Sequence, residues 1–192
     1  MVTAGRLQQA LDLLGRVLQQ RGLTYDLVAI GGSGLLLLGI IKRPTQDLDV
    51  VALVQQGHLV RADPLPEPLE AAAHDVAATL GLRDDWIDPR PTSLLDFGLP
   101  AGFADRVTIR TFGALVIHLA SRLDQIHFKV YAATDQGRSS RHFDDLRALA
   151  PTRDELLQAA RWARTQDPSE AFHGELIGLM RTLGVGDASN AV

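Results

Sequence analysis

The sequence predicts an α/β fold: a small mixed β-sheet covered by helices, followed by a segment made only of helices. Three observations carry this. Up to about residue 120, short β-branched apolar runs alternate with helical patterns; beyond Ser121 four helical patterns follow with no strand between them. With 46% hydrophobic residues in 192, the chain can also bury a core of single-domain size.

The elements follow in order. Leu7, Leu11, Leu14 and Leu18 recur at helical spacing and predict an amphipathic helix over 7–21, stopped by Gly22. Residues 25–30 read as a strand that runs into Gly31-Gly32-Ser33-Gly34 and then the leucine run 35–38, which makes strand, glycine turn and buried helix. Asp47 to Leu53 alternates at its start and ends apolar, as a strand entering a core does. Prolines and a glycine mark 56–68 as a loop, and the Ala-rich stretch 69–80 is a helix with acidic residues at its start. Little periodicity is present over 84–105, which reads as a long excursion of the functional-flap kind. Strands are expected at 107–109 and 114–119, then helices at 121–134, 141–149, 152–166 and 168–183. Thr152 with Glu155 forms a capping box, and Pro168 is placed in the first turn of the last helix. The expected organisation is a core at 1–120, a helical segment at 121–184 and a disordered tail at 185–192.

Composition excludes several function classes. No cysteine is present, so disulfides, thiolate zinc sites and thiol nucleophiles are all absent. Of the six histidines, His58, His74, His118, His127 and His173 show no zinc-ligand spacing. A net charge of −4 argues against a general nucleic-acid coat and disfavours a DNA-reading helix pair in 141–166. The charge is uneven: −3 over 1–120, +2 over 121–164 and −3 over 165–192, which points to the middle segment for phosphate contact. The longest mostly apolar stretch, 28–41, is too short for a membrane helix, and Met1 to Arg6 leads into no apolar signal region, so a cytoplasmic protein with no membrane partner is expected. Of 19 basic residues only Lys42 and Lys129 are lysines, a pattern that GC-rich coding produces and against which a retained lysine invites a chemical reading.

Two motifs carry chemistry. Asp47 and Asp49 stand two apart on a strand, so their carboxylates share one face with Cα atoms roughly 6–7 Å apart. Carboxylates that close repel unless a cation lies between them, and Mg²⁺ takes such a pair together with phosphates and water. Gly31, Gly32 and Ser33 form a strand-to-helix turn whose backbone N–H groups can approach an anion. The 13 residues from Gly34 to Gln46 return the chain so that the acid pair can face the glycine turn. Lys129 lies among Ile126, Phe128, Val130 and Tyr131, where its ammonium either snorkels outward or reaches inward to a phosphate, with Arg122 on the same helix face. Trp86 and Trp162 read as packing anchors, with base stacking open to Trp86.

Gly31-Gly32-Ser33, the spacer and Asp47-Leu48-Asp49-Val50 resemble the signature of the DNA polymerase β nucleotidyltransferase superfamily. Arg43-Pro44-Thr45-Gln46-Asp47, Phe128-Lys129-Val130-Tyr131-Ala132 and His142 to Leu149 resemble, more narrowly, small bacterial nucleotidyltransferase-like proteins related to the AbiEii toxins. The resemblance implies transfer of a nucleoside monophosphate from an NTP to an acceptor, which is a tRNA, a protein or a small molecule. It implies Mg²⁺ or Mn²⁺ on Asp47 and Asp49, and a nucleotide held by Gly31, Gly32, Ser33, Arg43, Thr45 and Arg122. Lys129 and Asp145 complete the implied site, with the helical segment closing over the nucleotide; a toxin-like role would bring a cognate antitoxin-like partner. Asp144 and Asp145 beside Arg141 and Arg147 also read as surface ion pairs on a helix.

The pattern is incomplete. A third carboxylate is expected on a later strand, yet 107–110 and 114–119 hold no acid, which leaves Asp96, Asp105 and Asp124 as substitutes; His142 stands where relatives carry an aspartate. The alternative is therefore a catalytically inactive nucleotide-binding or partner-binding module of a toxin–antitoxin-type system.

Overall fold

The computed structural model describes residues 1–186. It comprises two compact units: Met1–Asp96 with Ala104–Ala120, and Phe97–Phe103 with the chain from Ser121 on. The fold is mixed α/β with helices at its C-terminal side.

In the first unit, α1 (Ala4–Gln20) buries Leu7, Leu11, Leu14 and Leu18, and Thr3 caps its start by accepting the Arg6 N–H. Complete burial of those four leucines makes this stripe a main source of hydrophobic stabilisation for the unit. Gly15 lets the helix approach the sheet, because a Cβ there would lie 1.5 Å from the Phe112 carbonyl oxygen. The sheet contains β1 (Tyr25–Ala29), β2 (Leu48–Gln55), β3 (His58–Val60), β4 (Ile87–Asp88), β5 (Thr108–Phe112) and β6 (Leu115–Leu119). Five strands run in the order β3-β2-β1-β6-β5, and β4 pairs with β2 off this path. β1 is parallel to β6 and antiparallel to β2, and β4 is parallel to β2, so the sheet is mixed. Between β1 and β2 sits α2 (Gly31–Leu37), all seven residues of it buried, and α3 (Glu67–Leu80) follows β3.

Two expectations are corrected here. The loop assigned to 56–68 contains β3, made by a tight turn at Gln56-Gly57 in which both residues have positive φ, 51° and 80°. Glutamine seldom adopts that conformation, so the turn carried no strong sequence signal. The excursion at 84–105 contains β4, only two residues long and therefore without periodicity. Trp86, just before β4, is buried and donates its indole N–H to the Ala73 carbonyl at 3.0 Å, so it is a packing anchor and not a base-stacking platform. Strand β2 begins at Leu48, which leaves Asp47 one residue ahead of it.

The second unit contains α4 (Arg122–Gln136), α5 (Arg141–Leu149), α6 (Arg153–Gln166) and α7 (Glu170–Thr182). Ser121, Ser140, Thr152 and Ser169 cap them, and Thr152 with Glu155 forms the reciprocal capping box. Pro168 lies outside the last helix, one residue before its Ser169 cap, and not in the first turn. Edge-to-face aromatic contacts fill the core: Trp162 meets Phe128 at 5.4 Å and Tyr131 at 6.2 Å between centroids. The Trp162 indole and the Gln166 amide both donate to the Gly98 carbonyl, which fastens the 97–103 segment to this unit. Val185 is buried and donates its N–H to Met180 O, so the expected tail does not begin there; its remainder from Asp187 lies outside the described residues. Among the described residues, no helix is long and apolar enough to cross a membrane.

Candidate functional site

Where β1 ends, the chain enters the glycine turn and lies against the start of β2. The Ile30 N–H donates to the Asp49 carbonyl at 3.0 Å. Ser33, fully buried, donates its hydroxyl to the Ile30 carbonyl and accepts the Asp49 N–H, both at 3.3 Å. That corrects the expectation for Ser33: its single O–H is spent on backbone, so it braces Asp49 and does not present a donor to phosphate.

Gly31 has φ +71°, and a Cβ built on it would lie 1.9 Å from Asp49 Oδ2. The Asp49 carboxylate thus lies directly against Gly31, where a side chain would be strained by the positive φ and would have to displace the carboxylate. Gly31→Ala should cost about 2–4 kcal/mol of stability, because a left-handed conformation and an overlap with a carboxylate act together. Denaturant unfolding measures this, and a loss under about 1 kcal/mol would contradict the close approach.

Arg43 and Thr45 approach Gly32, whose Cβ would lie 3.2 Å from Thr45 Oγ1 and 3.5 Å from an Arg43 guanidinium nitrogen. Thr45 is held from two sides. It exchanges backbone hydrogen bonds with Val2 at 2.7 and 3.0 Å, and its hydroxyl donates to the Asp47 carbonyl. Within the first unit, then, Gly31, Gly32, Ser33, Arg43, Thr45, Asp47 and Asp49 form one neighbourhood.

The sequence reading missed Asp88. In β4 it stands opposite Asp49 in the parallel pairing of β4 with β2, as Ile87 stands opposite Leu48. Paired residues of neighbouring parallel strands share a sheet face with their backbones about 5 Å apart, so Asp88 brings a third acidic residue to the start of β2. Its signal was the apolar-then-acid pair Ile87-Asp88, which repeats Leu48-Asp49. Asp88 accepts hydrogen bonds from Arg90: Nε to Oδ1 at 2.8 Å, Nη2 to Oδ2 at 2.6 Å and the backbone N–H to Oδ1 at 3.0 Å. Burial pushes the Asp88 carboxyl up, but the hydrogen bonds from Arg90 outweigh it, and the net shift is below the usual carboxylate range. Arg90 is raised in turn, first by its bonds to Asp88, with Asp47 and Asp85 adding to the field. Of the expected substitutes, Asp96 pairs with Arg61, Asp105 is exposed, and Asp124 belongs to the second unit, where it accepts from Ser121 at the start of α4.

Lys129 and Asp145 come together in the second unit. Lys129 Nζ lies 2.9 Å from Asp145 Oδ2, with the side chains 3% and 2% exposed, and donates to His142 Nδ1 at 3.3 Å. Lys129 therefore neither snorkels nor presents its ammonium to solvent, and Asp145 is not a surface partner of Arg141 or Arg147. Arg122 is also corrected. Its Nε and Nη2 donate to the Leu149 carbonyl at 3.0 and 2.7 Å, Nη2 also reaches the Ala150 carbonyl, and Nη1 pairs with Glu155 at 2.7 Å. It closes the C-terminus of α5, and its hydrogen bond holds the Glu155 carboxyl below its usual range.

Among the described residues, no three His, Cys, Asp or Glu side chains converge as a ready metal cage. The donor chemistry nevertheless fits magnesium or manganese completed by substrate: these ions take hard oxygen ligands, and magnesium commonly uses one or two carboxylates plus phosphates and water. Asp47 and Asp49 would supply that pair. No protein-family model, curated protein or solved structure matches the chain.

Proposed function

We propose that the chain is a metal-dependent nucleotidyltransferase, transferring a nucleoside monophosphate from an NTP to a hydroxyl on a tRNA, a protein or a small molecule. One observation carries the reading: the Asp49 carboxylate lies against Gly31, the Asp49 backbone N–H is held by the Ser33 hydroxyl, and Asp88 is paired in register with it. A structural aspartate has no need of a neighbouring acid or of a glycine cleared of side-chain atoms.

In this reaction the acceptor oxygen bonds to the α-phosphorus, the bond to pyrophosphate breaks, and the hydroxyl proton is lost to solvent. Such chemistry needs positioning and charge neutralisation and no covalent nucleophile. A divalent cation bound by Asp47 and Asp49 would neutralise charge on the triphosphate. The chain's own contribution is preorganisation. Ser33 and Gly31 hold Asp49 still, the Val2–Thr45 bridge fixes the segment leading to Asp47, and Arg43 supplies positive charge beside the glycine turn. NTP use agrees with a cytoplasmic setting, and a toxin-like protein there would be restrained by a cognate antitoxin-like partner.

A second reading, a catalytically inactive nucleotide-binding or partner-binding module, is favoured by the engagement of both Asp88 oxygens with Arg90. Incubating the protein with each α-labelled NTP, Mg²⁺ or Mn²⁺ and fractionated RNA, protein and metabolites separates the two. Label transfer to one fraction is the expected result. Nucleotide binding without transfer would establish the inactive module, and absence of both would overturn the two readings together.

A further inference from the structure

We propose that Arg90 is a resident counter-cation of the acid set, occupying Asp88 until a divalent ion and nucleotide displace it. The inference rests on the metal-dependent reading above and adds a residue and an order of events to it.

Asp49 and Asp88, paired across β2 and β4, and Asp47, one residue ahead of β2, carry negative charge that must be offset whenever no metal is bound. Arg90 offsets it in a specific way. Its planar guanidinium takes both oxygens of Asp88 in the bidentate geometry that makes Arg–carboxylate pairs strong, and its own N–H adds a third bond to Oδ1. The two partners differ in freedom. The Asp88 side chain is 11% exposed and fixed in the sheet, whereas that of Arg90 is 79% exposed. The arginine can therefore swing away while the carboxylate stays in place, and no core contact is broken when it does. The carboxylate of Asp47 adds to the field that holds the guanidinium over the acids.

Two consequences follow. A divalent ion alone must compete with a three-bond clamp for Asp88, so metal binding to the free protein is weak. An NTP offers the guanidinium an alternative anionic partner, because two phosphate oxygens accept the same bidentate fork as a carboxylate. Nucleotide and metal thus assist each other: the nucleotide draws Arg90 away, and the ion takes the carboxylate it vacates.

Mn²⁺ titration followed by electron paramagnetic resonance, without nucleotide and with a non-hydrolysable NTP, tests this on the full chain. Arg90→Gln should bind Mn²⁺ about tenfold tighter than the parent protein without nucleotide, and should lose most of the enhancement that nucleotide produces. Arg90→Lys, which keeps the charge but not the fork, should fall between them. Adding Asp88→Asn to Arg90→Gln should abolish the gain. If Arg90→Gln and the parent bind Mn²⁺ equally while Asp49→Asn abolishes binding, the counter-cation role is overturned and the metal site stands. If no variant binds Mn²⁺ even with nucleotide, both are overturned.

Discussion

Asp145→Ala should destabilise the second unit by about 3–5 kcal/mol. The reason is asymmetry. Lys129 and Asp145 are together almost wholly withdrawn from water, and removal of the carboxylate leaves a buried ammonium whose remaining described contact is the His142 ring nitrogen. Desolvating an unpaired charge costs far more than the intact pair contributes. The double variant Lys129→Met with Asp145→Leu should recover most of the loss, since apolar groups of similar volume need no counter-charge. Urea unfolding of the three proteins checks this, and an Asp145→Ala loss below about 1 kcal/mol would place the pair in solvent. The same measurement bears on Lys129 itself, whose retention in an arginine-rich chain the buried pair explains: a compact ammonium fits where a guanidinium would leave donors unmet.

Asp49→Asn should reduce nucleotidyl transfer about a thousandfold while leaving thermal stability within a few degrees of the parent. The substitution keeps the side-chain shape against Gly31 and leaves the Asp49 N–H free to donate to Ser33 as before, so the architecture has no reason to change. What it removes is the negative charge at the one carboxylate that the glycine turn was shaped to receive. Label-transfer assays alongside a melting curve measure the two effects separately. Activity retained within threefold would show that Asp49 carries no metal and would sink the proposed reaction.

The acid pair and the glycine turn were legible before any fold was known because each is a local pattern: a strand followed by Gly31-Gly32-Ser33, and two aspartates two residues apart. Their meaning changed on folding. Ser33, read as a phosphate ligand, is the brace between Ile30 and Asp49. Arg122, read as a nucleotide contact because it shares a helix face with Lys129, spends its donors on Leu149, Ala150 and Glu155. In both cases residue type and position were correctly noticed, but the partner lay 16 or 27 and more positions away, or on a carbonyl that no side-chain pattern records.

By itself the sequence determined the α/β class, the helical second half with its Thr152–Glu155 capping box, and the two-residue spacing of Asp47 and Asp49. Periodicity, caps and turn residues encode these within one or two helical turns of chain. Only the tertiary structure decided that Asp88 stands beside Asp49, that Arg90 occupies it, and that Lys129 is buried against Asp145. A two-residue strand such as β4 has no period to detect and exists only because β2 offers it an open edge. The pairing of a buried charge is likewise set by which helices pack together. Such contacts are properties of the assembled sheet and bundle, and their energies arise only once water has been excluded from them.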